Sequence, residues 1–144
     1  MLPLGDFTIY TATGVIDVRT DGSFLENGQR VGKFTVDGRL LNVDDSEIGR
    51  LTPQGRIYFA GRLDSVSIDP AGTRLASPRG VLAAFDPNGN LVVGSTTLEV
   101  RGFSPRLRRS ILFAFAMYAA LLAVARNMDQ QQPGPALTPS GQLL

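Results

Sequence analysis

The chain has 144 residues, 43% of them hydrophobic, a formal net charge of +1, and neither cysteine nor histidine. Without cysteine there is no disulfide, thiolate nucleophile or thiolate metal site. Without histidine the commonest general base, the commonest metal ligand and the usual serine triad are missing, and near-neutral charge gives no footprint for a polyanion.

In chain order, the first feature is a glycine that returns. Gly22, Gly38, Gly55, Gly72 and Gly89 are separated by sixteen and then three times seventeen residues. Each closes a turn-like segment: Thr20-Asp21-Gly22, Thr35-Val36-Asp37-Gly38, Thr52-Pro53-Gln54-Gly55, Asp69-Pro70-Ala71-Gly72 and Asp86-Pro87-Asn88-Gly89. Proline presets φ, Asp or Thr accepts backbone hydrogen bonds, and glycine takes the positive φ that closes the loop. An apolar residue precedes four of the turns: Phe34, Leu51, Ile68 and Phe85. Leu40, Ile57 and Leu91 follow their turns, and Arg74 interrupts this second series.

A second punctuation point falls inside each unit, at Asn27-Gly28, Asp44-Asp45, Gly61-Arg62 and Pro78-Arg79-Gly80. Asn-Gly between apolar residues is a strong hairpin signal. An earlier unit runs from Gly5 and Phe7 through Thr11-Ala12-Thr13-Gly14 to Val18, and a degraded one from Gly89 to about Val100. The expectation is an all-β repeat domain over 1–103, of about six hairpin units, with no helix before residue 105. Gly32 and Gly49, inside predicted strands, predict bulges or close backbone approach. One such hairpin cannot bury a core alone, so neighbouring units must pack together.

The phrases Val31-Gly32-Lys33-Phe34 and Ile48-Gly49-Arg50-Leu51, followed by the Asp-Gly turn, resemble the bacterial β-flower domains. That resemblance covers about residues 5–100. It implies short hairpins arranged like petals about an axis, oligomers that complete the ring, and no known activity or catalytic residues. Proline-containing turns and a long C-terminal extension set this chain apart from it. The coil length is also similar to that of bactofilin-like β-solenoids, whose coils are not closed by Asp-Pro-x-Gly hairpins.

After Phe103-Ser104-Pro105 the composition changes. Ser110 to Ala125 carries no charge and is rich in Ala, Leu, Met and Phe, which predicts a helix apolar on every face, over 105–128. Sixteen residues span about 24 Å, against a bilayer core of about 30 Å. Snorkelling arginines recover part of that deficit. The segment is therefore expected to be a transmembrane anchor. Ser110, Ile111, Leu112, Phe113, Phe115, Met117, Leu121, Leu122 and Val124 would face lipid, and Arg106, Arg108, Arg109 and Arg126 would contact headgroups. Ala116/Ala120 and Ala119/Ala123 are small-residue pairs suited to close helix packing. Four arginines precede the segment and one follows, which places the β domain in the cytoplasm of a bacterial inner membrane. The alternative is a cytoplasmic homo-oligomer with the apolar helices in a central bundle. The uncharged tail 129–144 is expected to be disordered.

Asp44-Asp45-Ser46-Glu47 and Asp86-x-Asn88-x-Asn90 have oxygen ligands for a hard cation but lack the later bidentate glutamate, and both fall where the repeat needs a turn. No phosphate-binding loop, nucleophile elbow or dinucleotide fingerprint occurs. No catalytic, cofactor or metal residue is assigned. The functional expectation is a non-enzymatic, membrane-anchored, homo-oligomeric scaffold or binding module of unidentified ligand, with lipids as partners and no nucleic acid. A hydrolase or lyase using carboxylates alone would require convergent Asp or Glu side chains in one pocket.

Overall fold

The computed structural model describes residues 1–131, with side chains through Asn127. Thirteen strands precede a single helix: β1 Phe7–Tyr10, β2 Val15–Val18, β3 Ser23–Glu26, β4 Gln29–Phe34, β5 Arg39–Leu41, β6 Glu47–Leu51, β7 Arg56–Phe59, β8 Arg62–Ile68, β9 Arg74–Ser77, β10 Gly80–Phe85, β11 Leu91–Val93, β12 Thr96–Leu98 and β13 Val100–Arg101. A 3-10 turn, Pro105–Leu107, leads into α1, Arg108–Gln131. The expected all-β repeat followed by one apolar helix is the architecture observed. Residues 129–131 of the expected disordered tail form the last turn of α1, and the remainder lies outside the described residues.

From β1 to β12 each strand pairs antiparallel with its neighbours in chain order, and β13 pairs with β1 rather than with β12. Glu99 alone separates β12 from β13. One broken strand therefore bonds β11 with its first half and β1 with its second, and the sheet becomes a nearly closed barrel. Six hairpins, from β1–β2 to β11–β12, point to one end of this ring, and the glycine turns lie at the other. Despite the similar coil length, the antiparallel meander differs from a β-solenoid, in which successive coils stack along an axis.

The glycine turns share one geometry. In Thr35–Arg39 the Thr35 N–H donates to the Arg39 carbonyl at 2.9 Å, and the Gly38 N–H to the Thr35 carbonyl at 3.1 Å. The turns at Gly22, Gly55 and Gly89 repeat it. The glycines also join successive units. The carbonyls of Gly22, Gly38 and Gly55 accept the N–H of Phe34, Leu51 and Ile68 at 2.7, 2.7 and 2.8 Å. Each turn thus hooks the apolar residue that begins the next one, and this accounts for the fixed spacing of glycine and apolar residue.

Arg74 falls out of the series because its turn is one residue longer. Asp69 N–H closes on the Arg74 carbonyl at 3.2 Å, so the register pairs Ile68 with Leu75, where the other units pair Phe34 with Leu40 and Leu51 with Ile57. Leu75 takes the buried position, and Arg74 is exposed.

The strand glycines behave as expected. The pairing shifts register beside Gly32 and beside Gly49, leaving Val31 and Ile48 as the extra residues of two bulges, and Leu82 occupies the corresponding place in β10. These positions are seventeen residues apart, or twice that, as the repeat requires.

Inside the ring, Ile9, Ile16, Phe24, Leu40, Ile57, Ile68 and Leu91 are buried around α1. Ile111, Leu112, Phe113 and Ala114 each have 0% exposure. Four consecutive helical residues point in four directions about 100° apart, so the first half of the helix is walled on every side.

The turn aspartates couple this fold to pH. At Asp69, partial burial pushes the carboxyl up, but hydrogen bonds from Thr73 and from the backbone of Arg74 and Thr73, with the Arg74 charge, outweigh it and hold it below the ordinary 3.8. Asp21, Asp37 and Asp44 are also lowered, chiefly by hydrogen bonds from Ser23, Thr35 and Ser46. Groups depressed in the folded state contribute stability that is full above their unfolded value and is lost as pH falls through the folded one. The urea midpoint is accordingly expected to hold from neutrality to about pH 4 and to fall below it. Asp69→Ala should lower the neutral-pH midpoint and flatten the acid decline.

Candidate functional site

The helix enters the ring at the glycine-turn end, which the N-terminal segment closes. Leu2 N–H donates to the Val36 carbonyl at 2.7 Å, and the Ser110 hydroxyl donates to the Pro3 carbonyl. Arg106 donates to the Leu4 carbonyl at 3.4 Å, and Arg109 to the Thr52 carbonyl at 3.1 Å. Arg108 lies over the Phe103 ring, 5.9 Å from its centroid. These three arginines, expected at lipid headgroups, are thus engaged with their own chain around the closed end.

Farther along, the Tyr118 hydroxyl bonds the hydroxyls of Thr11, at 3.4 Å, and Thr13, in the β1–β2 tip. A Cβ at Gly49 would lie 2.4 Å from the Met117 sulfur and 3.0 Å from the Tyr58 carbonyl. Gly49 is glycine because the helix passes there. Gly49→Ala is expected to cost about 1–3 kcal/mol in urea unfolding. With Met117→Ala in the same chain, part of that cost should vanish as a coupling of about 1 kcal/mol.

Beyond Tyr118 the helix leaves the ring through an open mouth formed by the hairpin tips. Ala119 and Ala123–Asn127 are exposed, and Ala120, Leu121 and Leu122 are half-buried. On one side, Val31, Ile48 and Phe59 pack against the core as partly buried residues. On the other, where beyond Phe115 the helix presents alanines, there is a cleft of about 370 Å³. Val66, Leu75, Leu82 and Val93 line its sheet wall, Phe115 and the alanines its helix wall, and Asp64 is its one charged lining residue. Leu63 and Val81, beside the neighbouring tips, are 51% and 53% exposed. This mouth is the strongest candidate for a functional surface.

The expected anchor residues separate here. Ser110, Ile111, Leu112, Phe113 and Met117 lie inside the ring rather than facing outward, because the sheet supplies the apolar surroundings that lipid was expected to supply. Phe115, Leu121 and Leu122 are half-buried, and Val124 and Arg126 are exposed at the mouth. Of the Pro105–Asn127 span, which is long and apolar enough to cross a membrane by length and composition, the most apolar window is half buried.

On the outer wall, Asp6 and Asp17 share a shallow depression with Arg19 and Arg101. Both carboxylates are occupied: Asp17 accepts the Thr8 hydroxyl at 2.6 Å, and Asp6 accepts the Thr20 N–H and hydroxyl at 2.8 and 3.0 Å. The Asp44 and Asp86 carboxylates cap their own turns, accepting from Ser46 and from the Asn88 and Asn90 N–H groups. Among the described residues, no group of three or more His, Cys, Asp or Glu is placed to hold a metal ion.

Comparison with protein-family models, with curated proteins and with solved structures gives no match.

Sequence reasoning missed the cleft and its rim. The signal that points to it is the alanine spacing Ala116, Ala119, Ala120 and Ala123, on the same helix as the fully enclosed Ile111–Ala114.

Proposed function

We propose that this chain is a non-enzymatic binding or scaffold module that self-assembles through the open mouth of its ring. One observation carries the reading. The helix leaves its own barrel with an apolar, alanine-rich half uncovered, beside an apolar cleft. Exposed apolar surface rimmed by polar residues marks interaction sites. On the β-flower reading of the repeat, the six hairpins would be petals and the helix would lie on their axis. Here the helix serves as the pin of each subunit, and only its far half is available to a bundle.

A second reading is membrane localisation, at an inner membrane with the β domain cytoplasmic; the length and apolarity of Pro105–Asn127 favour it. It requires the helix to leave the ring, since a residue enclosed by strands cannot also contact lipid. Light-scattering mass of the full chain in detergent-free buffer separates the two. Self-assembly predicts a stable oligomer that Ala119→Arg converts to monomer. A chain recovered only with detergent, and retained in carbonate-washed membranes, overturns it in favour of the anchor.

A further inference from the structure

We infer that the partner at the mouth is a second copy of this chain, placed mouth to mouth so that the acidic β5–β6 tip of each copy seats on the arginine-rimmed cleft of the other. The inference rests on the self-assembly reading and names its surface. The cleft lies beneath three exposed arginines. Arg62 begins β8, two residues from Asp64, and Arg79 is in the β9–β10 tip, three residues from Leu82. Arg126 lies seven residues beyond Ala119 on α1. Seven residues are nearly two full turns, which puts Arg126 on the cleft side of the helix, about 10 Å farther out. Asp64 is the one acidic residue that lines the cleft.

The same end of the ring carries a complementary feature. The β5–β6 tip joins the paired Leu41 and Glu47 by five residues, whereas Asn27-Gly28, Ala60-Gly61 and Pro78-Arg79 are two-residue tips. It presents Val43, 66% exposed, beside exposed Asp44, Asp45 and Glu47. An apolar side chain among carboxylates matches an apolar cleft among arginines in both character and charge. Because both surfaces face the same way from one ring, a two-fold axis brings each tip over the other copy's cleft and makes the contact twice.

The test is a charge exchange read by light-scattering mass and sedimentation. One variant carries Asp44→Lys with Glu47→Lys, and the other Arg62→Glu with Arg79→Glu. The wild type is expected to dimerise, and more weakly as salt rises. Each variant alone should dimerise at least tenfold more weakly. Their equimolar mixture should regain wild-type association, because both contacts are again between opposite charges; that rescue also shows both chains folded. An oligomer indifferent to both variants overturns the mouth-to-mouth pairing and leaves self-assembly standing. A wild type monomeric at all concentrations overturns both, as does a monomer that binds only anionic vesicles or an apolar small molecule.

Discussion

A chain lacking residues 105–144 is expected to lose cooperative unfolding, its β ring collapsing or aggregating once the lumen has no filling. Ile111, Leu112, Phe113 and Met117 are completely buried, and burying such side chains contributes about 1.5–3 kcal/mol each. Together that is comparable to the whole net stability of a domain, about 5–15 kcal/mol. A finer version is Phe113→Ala. The Phe113 ring meets the edge of Phe34 at 5.4 Å, and Phe34 meets Phe24 at 5.1 Å. Its loss should cost about 3–5 kcal/mol, a fall in Tm of about 10–20 °C for a domain of this size. Calorimetry of both proteins checks the expectation. A truncated chain that melts as sharply as the full one would show that the ring stands without the helix, as a membrane anchor would require.

Gly55→Val is expected to be nearly as damaging, although it lies in a turn. Gly55 has φ of 87°, a conformation that costs a β-branched residue about 1–3 kcal/mol by itself. A Cβ there would also sit 2.1 Å from the carbonyl oxygen of Ile68, and that oxygen belongs to a backbone fixed in the sheet. The Gly55 carbonyl accepts the Ile68 N–H across the same contact, so relieving the clash breaks the hook between two units. The unfolding free energy from urea titration should fall by at least about 2 kcal/mol, the sum of strain and one lost hydrogen bond. Gly61→Ala is the control. Gly61 has φ of 79°, but nothing lies within 4 Å of a Cβ there, so only the conformational part of the cost should appear.

The turns were legible because their chemistry is local. A strongly positive φ favours glycine, and Asp, Thr or Pro prepares the residues before it, so four residues suffice to recognise each one. The buried positions beside them were legible for the same reason, and Leu75 was missed only because one extra turn residue moved the register. The helix was legible as a helix but not as the core. A residue such as Phe113 is selected for apolar surroundings on all sides, and a sheet wrapped around it meets that demand as fully as lipid does. Composition cannot distinguish the two. The cleft was not legible either, since it arises where Ala116, Ala119 and Ala120 face strands contributed by residues far away in the chain.

The closure by a single broken strand also orders events in time. Nearly all strand pairing joins neighbours in sequence, which forms rapidly as the chain lengthens. The β1–β13 contact is the exception, and the helix follows it in the chain. At about 5–20 residues per second, synthesis from Leu98 to Tyr118 occupies roughly 1–4 s. During most of that interval the latching strand has been made but the helix has not, so the apolar inner face of the nascent ring is unfilled. A chaperone that shields such surfaces would find its substrate in that window, and release would coincide with the arrival of the helix.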